Sequence, residues 1–105
     1  MIEKVANTKI LKKILETNKN VVAQFTASWC GPCQTIKPHV EGLAKSHPNV
    51  YMIKVDIDEA DELVEDFKPH SVPLFVAFKD QKEVKRMVGA NPAQLTQFVE
   101  DLIKN

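Results

Sequence analysis

Two short apolar runs, Val21-Val22-Ala23-Gln24-Phe25-Thr26 and Val50–Asp56, constrain this chain more than any other feature, because a stretch with helical spacing lies between them. Nearly continuous apolar residues over so few positions describe strands buried on both faces, and such strands belong to sheets covered by helices. Ahead of the first run, Ile10, Leu11, Ile14 and Leu15 form one helical stripe, Asn7 or Thr8 can cap it, and Asn18–Asn20 ends it. Between the runs, Ile36, Val40, Leu43 and Ala44 keep helical spacing to about Ser46. Pro38 falls inside that helix, where it removes a hydrogen bond and predicts a kink.

Beyond the second run, Asp58 reads as the cap of a helix carrying Leu63, Val64 and Phe67. Pro73–Phe78 and Glu83–Val88 read as an antiparallel hairpin around Lys79–Lys82, whose turn lacks the Asn-Gly or Asp-Gly that would fix its register. Asn91-Pro92 is a cap followed by a proline at the first helical position, and Leu95, Phe98, Val99, Leu102 and Ile103 form the last stripe. Early strands separated by helices imply parallel crossover units, and the late hairpin adds an antiparallel edge. The expectation is an α/β fold: a mixed central sheet flanked by helices on both faces, with a short extra strand before the first helix. No repeat or linker divides the 105 residues, so residues 1–105 are expected to form a single domain.

Composition narrows the function. Fourteen basic residues balance 14 acidic ones, which gives no electrostatic reason to expect a nucleic acid or an anionic membrane surface as partner. No run approaches the roughly 20 apolar residues of a membrane span, and the N-terminal stretch lacks the apolar core of a secretory signal. With 44% hydrophobic residues the chain can build a core without staples. Its two cysteines, Cys30 and Cys33, enclose so short a loop that a bridge between them removes little entropy from the unfolded chain. A reducing, cytoplasmic setting is expected, where so close a pair is redox-active or metal-binding.

The segment Trp29-Cys30-Gly31-Pro32-Cys33 lies where a buried strand ends and a helix begins. Free N–H groups and the positive end of the helix dipole favour a thiolate there, and only the thiolate attacks a disulfide. Cys30, at the helix start, is expected to be the exposed nucleophile; Cys33, one turn deeper, is placed to resolve the mixed disulfide. Side chains three apart on a helix have Cβ atoms about 5–6 Å apart, and a disulfide needs roughly 3.5–4.5 Å, so little movement closes the bond. Pro32 stiffens the turn and Gly31 leaves Cys30 uncrowded. A zinc site would need further ligands from His39, His47 or His70, but their spacing matches none of the common zinc patterns and a proline sits between the cysteines. Trp29 taken alone would be a core residue; beside a redox pair it reads as part of a substrate platform.

These residues, in this order, strongly resemble the thioredoxin family over essentially the whole chain. Trp-Cys-Gly-Pro-Cys follows a buried strand, Ser71-Val72-Pro73 resembles the family's cis-proline loop, and Val88-Gly89-Ala90 resembles its glycine loop. The resemblance implies the thioredoxin fold and a protein-disulfide reductase: Cys30 attacks a substrate disulfide, Cys33 resolves it, and an NADPH-dependent thioredoxin reductase restores the dithiol. It implies no bound cofactor and no metal, only the redox-active Cys30–Cys33 pair. By position, Trp29, Gly31, Pro32, Val72, Pro73, Gly89 and Ala90 are expected to form an apolar groove for disulfide-containing protein substrates, which pair with the backbone at Val72. A monomer is expected.

The pattern breaks at Gln24, where the family usually carries a buried aspartate that relays the proton of the second cysteine. An amide cannot act as a base near neutral pH, so either Gln24 slows the resolving step or it simply hydrogen-bonds a neighbour. Lys54 matches the lysine usually found beside that aspartate and loses its acidic partner, whether it is buried or snorkels outward. Gln34 replaces a common basic residue, and Leu74, after Pro73, is expected to make the groove more apolar. The competing functions are a non-catalytic thioredoxin-fold binding module and a disulfide oxidase or isomerase. Retention of both cysteines counts against the module. Gly31-Pro32 and the lack of a signal sequence count against the oxidase or isomerase.

Overall fold

The structure, a computed structural model, describes residues 2–104. Its elements are β1 (Glu3–Lys4), α1 (Thr8–Thr17), β2 (Asn20–Thr26), α2 (Gly31–Ser46), β3 (Tyr51–Asp56), α3 (Asp61–Phe67), β4 (Leu74–Lys79), β5 (Lys82–Val88) and α4 (Pro92–Lys104). The strands form one five-stranded sheet in the order β1-β3-β2-β4-β5. β3 is parallel to β1 and β2, whereas β4 runs antiparallel to both β2 and β5, so the mixed sheet expected from the element order is present.

The two apolar runs became β2 and β3 because each supplies side chains to two cores. Alternation along a strand sends Val21, Ala23 and Phe25 to one face, where they meet Leu11 and Ile14 of α1 and Leu63 of α3. Val22 and Met52 point to the other face, under Ile36, Val40 and Leu43 of α2 and Leu95, Phe98 and Val99 of α4. Fully burying one such large apolar side chain contributes about 1.5–3 kcal/mol. Gln24, Thr26, Lys54 and Asp56 continue the α2 side of the alternation, so the polar residues at the ends of β2 and β3 face the start of α2.

Local signals explain most boundaries. Asn7 caps α1, its side chain accepting the Ile10 N–H at 2.9 Å. α2 continues through Pro38 to Ser46. Asp58 does not cap α3, contrary to expectation: the cap is Ala60, which offers no side-chain bond, and Asp58 is turned back toward Trp29. The Asp58 N–H donates instead to Asp56 Oδ1 at 2.9 Å, a local turn that delays the helix. The β4–β5 hairpin turns at Asp80-Gln81, both at positive φ. This is the backbone of a tight hairpin turn, formed without Asn-Gly. The Asp80 N–H is tied to the Lys19 carbonyl at 3.0 Å, and a register shift falls between Ala77 and Phe78. Among the described residues no helix is long and apolar enough to cross a membrane.

Candidate active site

Cys30 is the N-cap of α2. The Cys33 N–H donates to Cys30 Sγ at 3.2 Å, so a sulfur occupies the place usually taken by a capping oxygen. Pro32 lies in the first turn, where its missing N–H costs no helical bond. The remaining first-turn N–H groups and the helix dipole stabilise negative charge on that sulfur. Cys30 and Cys33 are joined in a disulfide with their Cα atoms 5.3 Å apart, a span at which the bond closes within one helical turn.

The expectation of an exposed Cys30 needs correction. Cys30 is 5% exposed and Cys33 2%, because the disulfide packs against Ala27, with Ile57 and Val72 beside it. What distinguishes the two sulfurs is the opening each one borders. Cys30 lines an outer groove together with Trp29, Gly31, Pro32 and Val72, as the family resemblance implies, and with Ile57, Pro69, His70 and Ser71, which it does not name. Cys33 lines a separate cavity of about 240 Å³, open to solvent past exposed Lys37 and Glu41, whose walls include Gln24, Thr26, Lys54 and Asp56.

The groove is built from loops at one end of the sheet. Trp29 is 66% exposed, and its indole N–H donates to Asp58 Oδ2 at 2.8 Å, which holds the ring by its edge. Nothing in the spacing announces this bond; it follows from the pairing of Thr26 with Asp56, which sets the loops after β2 and β3 side by side. The Val72–Pro73 peptide bond is cis, and the Val72 carbonyl oxygen lies 3.7 Å from Cys30 Sγ. Pro73 is buried behind the groove and its carbonyl accepts the Gly89 N–H at 3.0 Å. Gly89 has φ +105°, a conformation that favours glycine. Gly89 and the half-buried Ala90 therefore stand at the margin, behind Pro73, rather than among the residues lining the groove. Leu74 is also absent from the lining: it is buried in the core on the α1 and α3 side and so does not make the groove more apolar.

In the cavity, Gln24 is 7% exposed and its amide makes no hydrogen bond among the described residues. The reading in which Gln24 bonds a neighbour is thus not realised. Lys54, paired in register with Gln24, is half-buried and lines the same cavity. Gln34 reaches the Ala27 carbonyl at 3.5 Å. The histidines are dispersed: His39 meets Thr96 at 2.8 Å, His47 meets Glu100 at 3.6 Å, and exposed His70 lies on the groove. Among the described residues no three His, Cys, Asp or Glu side chains come together as a metal site.

Comparison with known proteins agrees with this geometry. The family model for Thioredoxin matches residues 1–101. Thioredoxin H-type 1 of Nicotiana tabacum is 47% identical over 88 residues, which span 84% of this chain and 70% of that protein. The solved structure of mitochondrial thioredoxin 3 from Saccharomyces cerevisiae, in its oxidized form, superposes with a TM-score of 0.92 at 33% identity, covering 96% of this chain and 95% of that one. That of Fasciola hepatica thioredoxin gives 0.93 at 39% identity, covering 96% and 99%. A disulfide capping the helix that follows the central strand, a cis-proline beside it and a sequence match across almost the entire length lead to one conclusion: this chain belongs to the thioredoxin family of thiol–disulfide oxidoreductases.

Proposed function

We propose that residues 1–105 are a single-domain, monomeric protein-disulfide reductase in which Cys30 is the attacking nucleophile and Cys33 the resolving thiol. The observation that carries this reading is the Cys30 sulfur at the N-cap of α2, facing the Cys33 N–H and bordering an open groove. Reduced Cys30 attacks a substrate disulfide as the thiolate and forms a mixed disulfide. Cys33 then attacks Cys30 Sγ, releases the substrate thiol and leaves the oxidised pair. Trp29, Gly31, Pro32 and Val72 receive an extended substrate segment, and the Val72 backbone adds it as a strand. Pro73, Gly89 and Ala90 hold that loop from behind. Gln24 and Lys54 set the polarity around Cys33.

The redox group is the cysteine pair itself. An NADPH-dependent thioredoxin reductase returns it to the dithiol, and the cytoplasm, where the thiol pool is reducing, is the setting that suits a reductase. Reduction of insulin by dithiothreitol, followed as turbidity, tests the reading. The native chain accelerates it strongly and Cys30→Ser does not. A folded native chain without acceleration would leave a binding module, and a reduction potential in the range of oxidases would leave an oxidase or isomerase.

A further inference from the structure

Resolution of the mixed disulfide has a proton requirement that the groove does not meet. Only a thiolate attacks a disulfide, so Cys33 must lose its proton as it turns on Cys30. Cys33 is 2% exposed, and the space it borders is the cavity shared with Gln24 and Lys54. Gln24 reaches that cavity with an amide that bonds to no described residue, and an amide takes no proton near neutrality. A polar cavity of about 240 Å³ is roomy enough for water.

Two carboxylates share the cavity with Cys33: Asp56 on β3 and Glu41 on α2. Their places in the fold separate them. β2 and β3 run in parallel register, Gln24 with Lys54 and Thr26 with Asp56. Asp56 is therefore one pair nearer the strand ends where α2 begins, which is the end that holds the dithiol. Glu41 lies eight residues along α2 from Cys33, roughly 12 Å down the axis at 1.5 Å per residue. Asp56 Oδ1 accepts the Asp58 N–H, and Oδ2 has no hydrogen-bond partner among the described residues.

Resting on the reductase reading above, we propose that Asp56 is the proton acceptor for the resolving thiol, acting through water in the cavity beneath Cys33. In that step the Cys33 S–H proton passes to the Asp56 carboxylate, and Cys33 Sγ forms its bond to Cys30 Sγ as the bond from Cys30 to the substrate sulfur breaks. The substrate leaves as a thiolate and is protonated from solvent, to which Asp56 returns its proton. The substrate sulfur is reduced and the cysteine pair oxidised. The other charged groups on the cavity are Lys4, Lys37, Lys54 and Glu41, of which Lys4 is paired with Glu59 at 3.1 Å.

The test uses the reduced full chain mixed with 5,5′-dithiobis(2-nitrobenzoate) in a stopped-flow instrument. A first coloured thiolate reports attack by Cys30 and a second reports resolution by Cys33. Asp56→Asn keeps an oxygen for the Asp58 N–H, so the turn survives while the base is lost. It slows the second release roughly tenfold or more near neutral pH, and the deficit shrinks as hydroxide takes over at higher pH. Asp56→Glu recovers most of the rate, and Glu41→Gln retains the native rate. A native second release in Asp56→Asn, equal slowing in the Asn and Glu variants, or slowing in Glu41→Gln would each overturn the assignment. Failure of the reductase reading looks different: the native protein would then give no first release.

Discussion

The two flanks of the disulfide differ in kind although one helical turn separates its sulfurs. On the Cys30 side the walls are Trp29 to Pro32, where the loop after β2 enters α2, the loop from Pro69 to Val72, and Ile57 after β3, and they present rings and aliphatic surface to an open groove. On the Cys33 side the walls are the ends of β2 and β3, and they present an amide, a hydroxyl, a lysine and a carboxylate to a cavity under α2. Two chemically identical side chains thus acquire different work from what each one faces. The helix start supplies charge stabilisation to Cys30, whereas the sheet supplies polar groups to Cys33. In the proposed mechanism, substrate recognition and proton handling therefore fall on opposite sides of the disulfide, and the two walls touch through Asp58, which accepts from Trp29 and donates its N–H to Asp56.

The largest effect comes from breaking each flank at its sulfur. Cys30→Ser removes the attacking atom and insulin reduction falls to the uncatalysed rate. Cys33→Ser leaves the attack intact and stops at the mixed disulfide, so the protein gains the mass of its substrate in a non-reducing mass spectrum. Formation of a stable mixed disulfide by the Cys30→Ser variant through Cys33 would erase the distinction between the flanks, since the buried sulfur would then be able to reach substrate unaided.

Much of this arrangement was legible in the sequence, and the parts that were not share a physical cause. β2, β3 and the stripes of α1, α2 and α4 were readable because burial imposes periodicity on neighbouring residues. The motif Trp29–Cys33 was readable because its chemistry is local. Asp58 looks like a helix cap in the sequence because its partner, Trp29, is 29 residues away and the register of two parallel strands brings them together. Ile57 joins the groove through the same register, and His70 through the antiparallel pairing of β4 with β2, which brings the loop before β4 beside the dithiol. The burial of Leu74 was missed because one residue of strand register decides whether it faces the groove or the core. The hairpin turn carries no sequence signal for its register because Asp80 and Gln81 adopt positive φ with ordinary side chains, and the Asp80 N–H is tied to the Lys19 carbonyl.

Smaller substitutions act on one flank at a time. Trp29→Ala removes the exposed ring of the groove and raises KM for insulin by about fivefold to tenfold, the loss of one aromatic contact, with little change in the second thiolate release. Gln24→Asp acts on the opposite flank: it adds a carboxylate beside Cys33 and speeds the second release by about twofold to fivefold near neutral pH, with KM unchanged. In the Gln24→Asp background, Asp56→Asn then loses most of its effect, because the thiol has a second acceptor. An unchanged release rate in Gln24→Asp would mean that proton removal does not limit resolution in this chain, and a change in KM would mean that the flanks communicate.

The smallest expected effect concerns how the groove is held rather than what it offers. Trp29→Phe keeps an aromatic face but loses the indole N–H that donates to Asp58 Oδ2. Both side chains are exposed, so water replaces the lost partner at little cost to stability, within about 0.5 kcal/mol. The consequence is a less firmly oriented ring and a KM raised by about twofold, corresponding to a fraction of a hydrogen bond's net contribution. Asp58→Ala breaks the same bond from the other side. If orientation is the reason for the effect, the double variant is no worse than either single one, since the second change has nothing left to remove. Additive losses in that cycle would show that Asp58 contacts the substrate in its own right, and the groove would then extend past Trp29 onto the loop after β3.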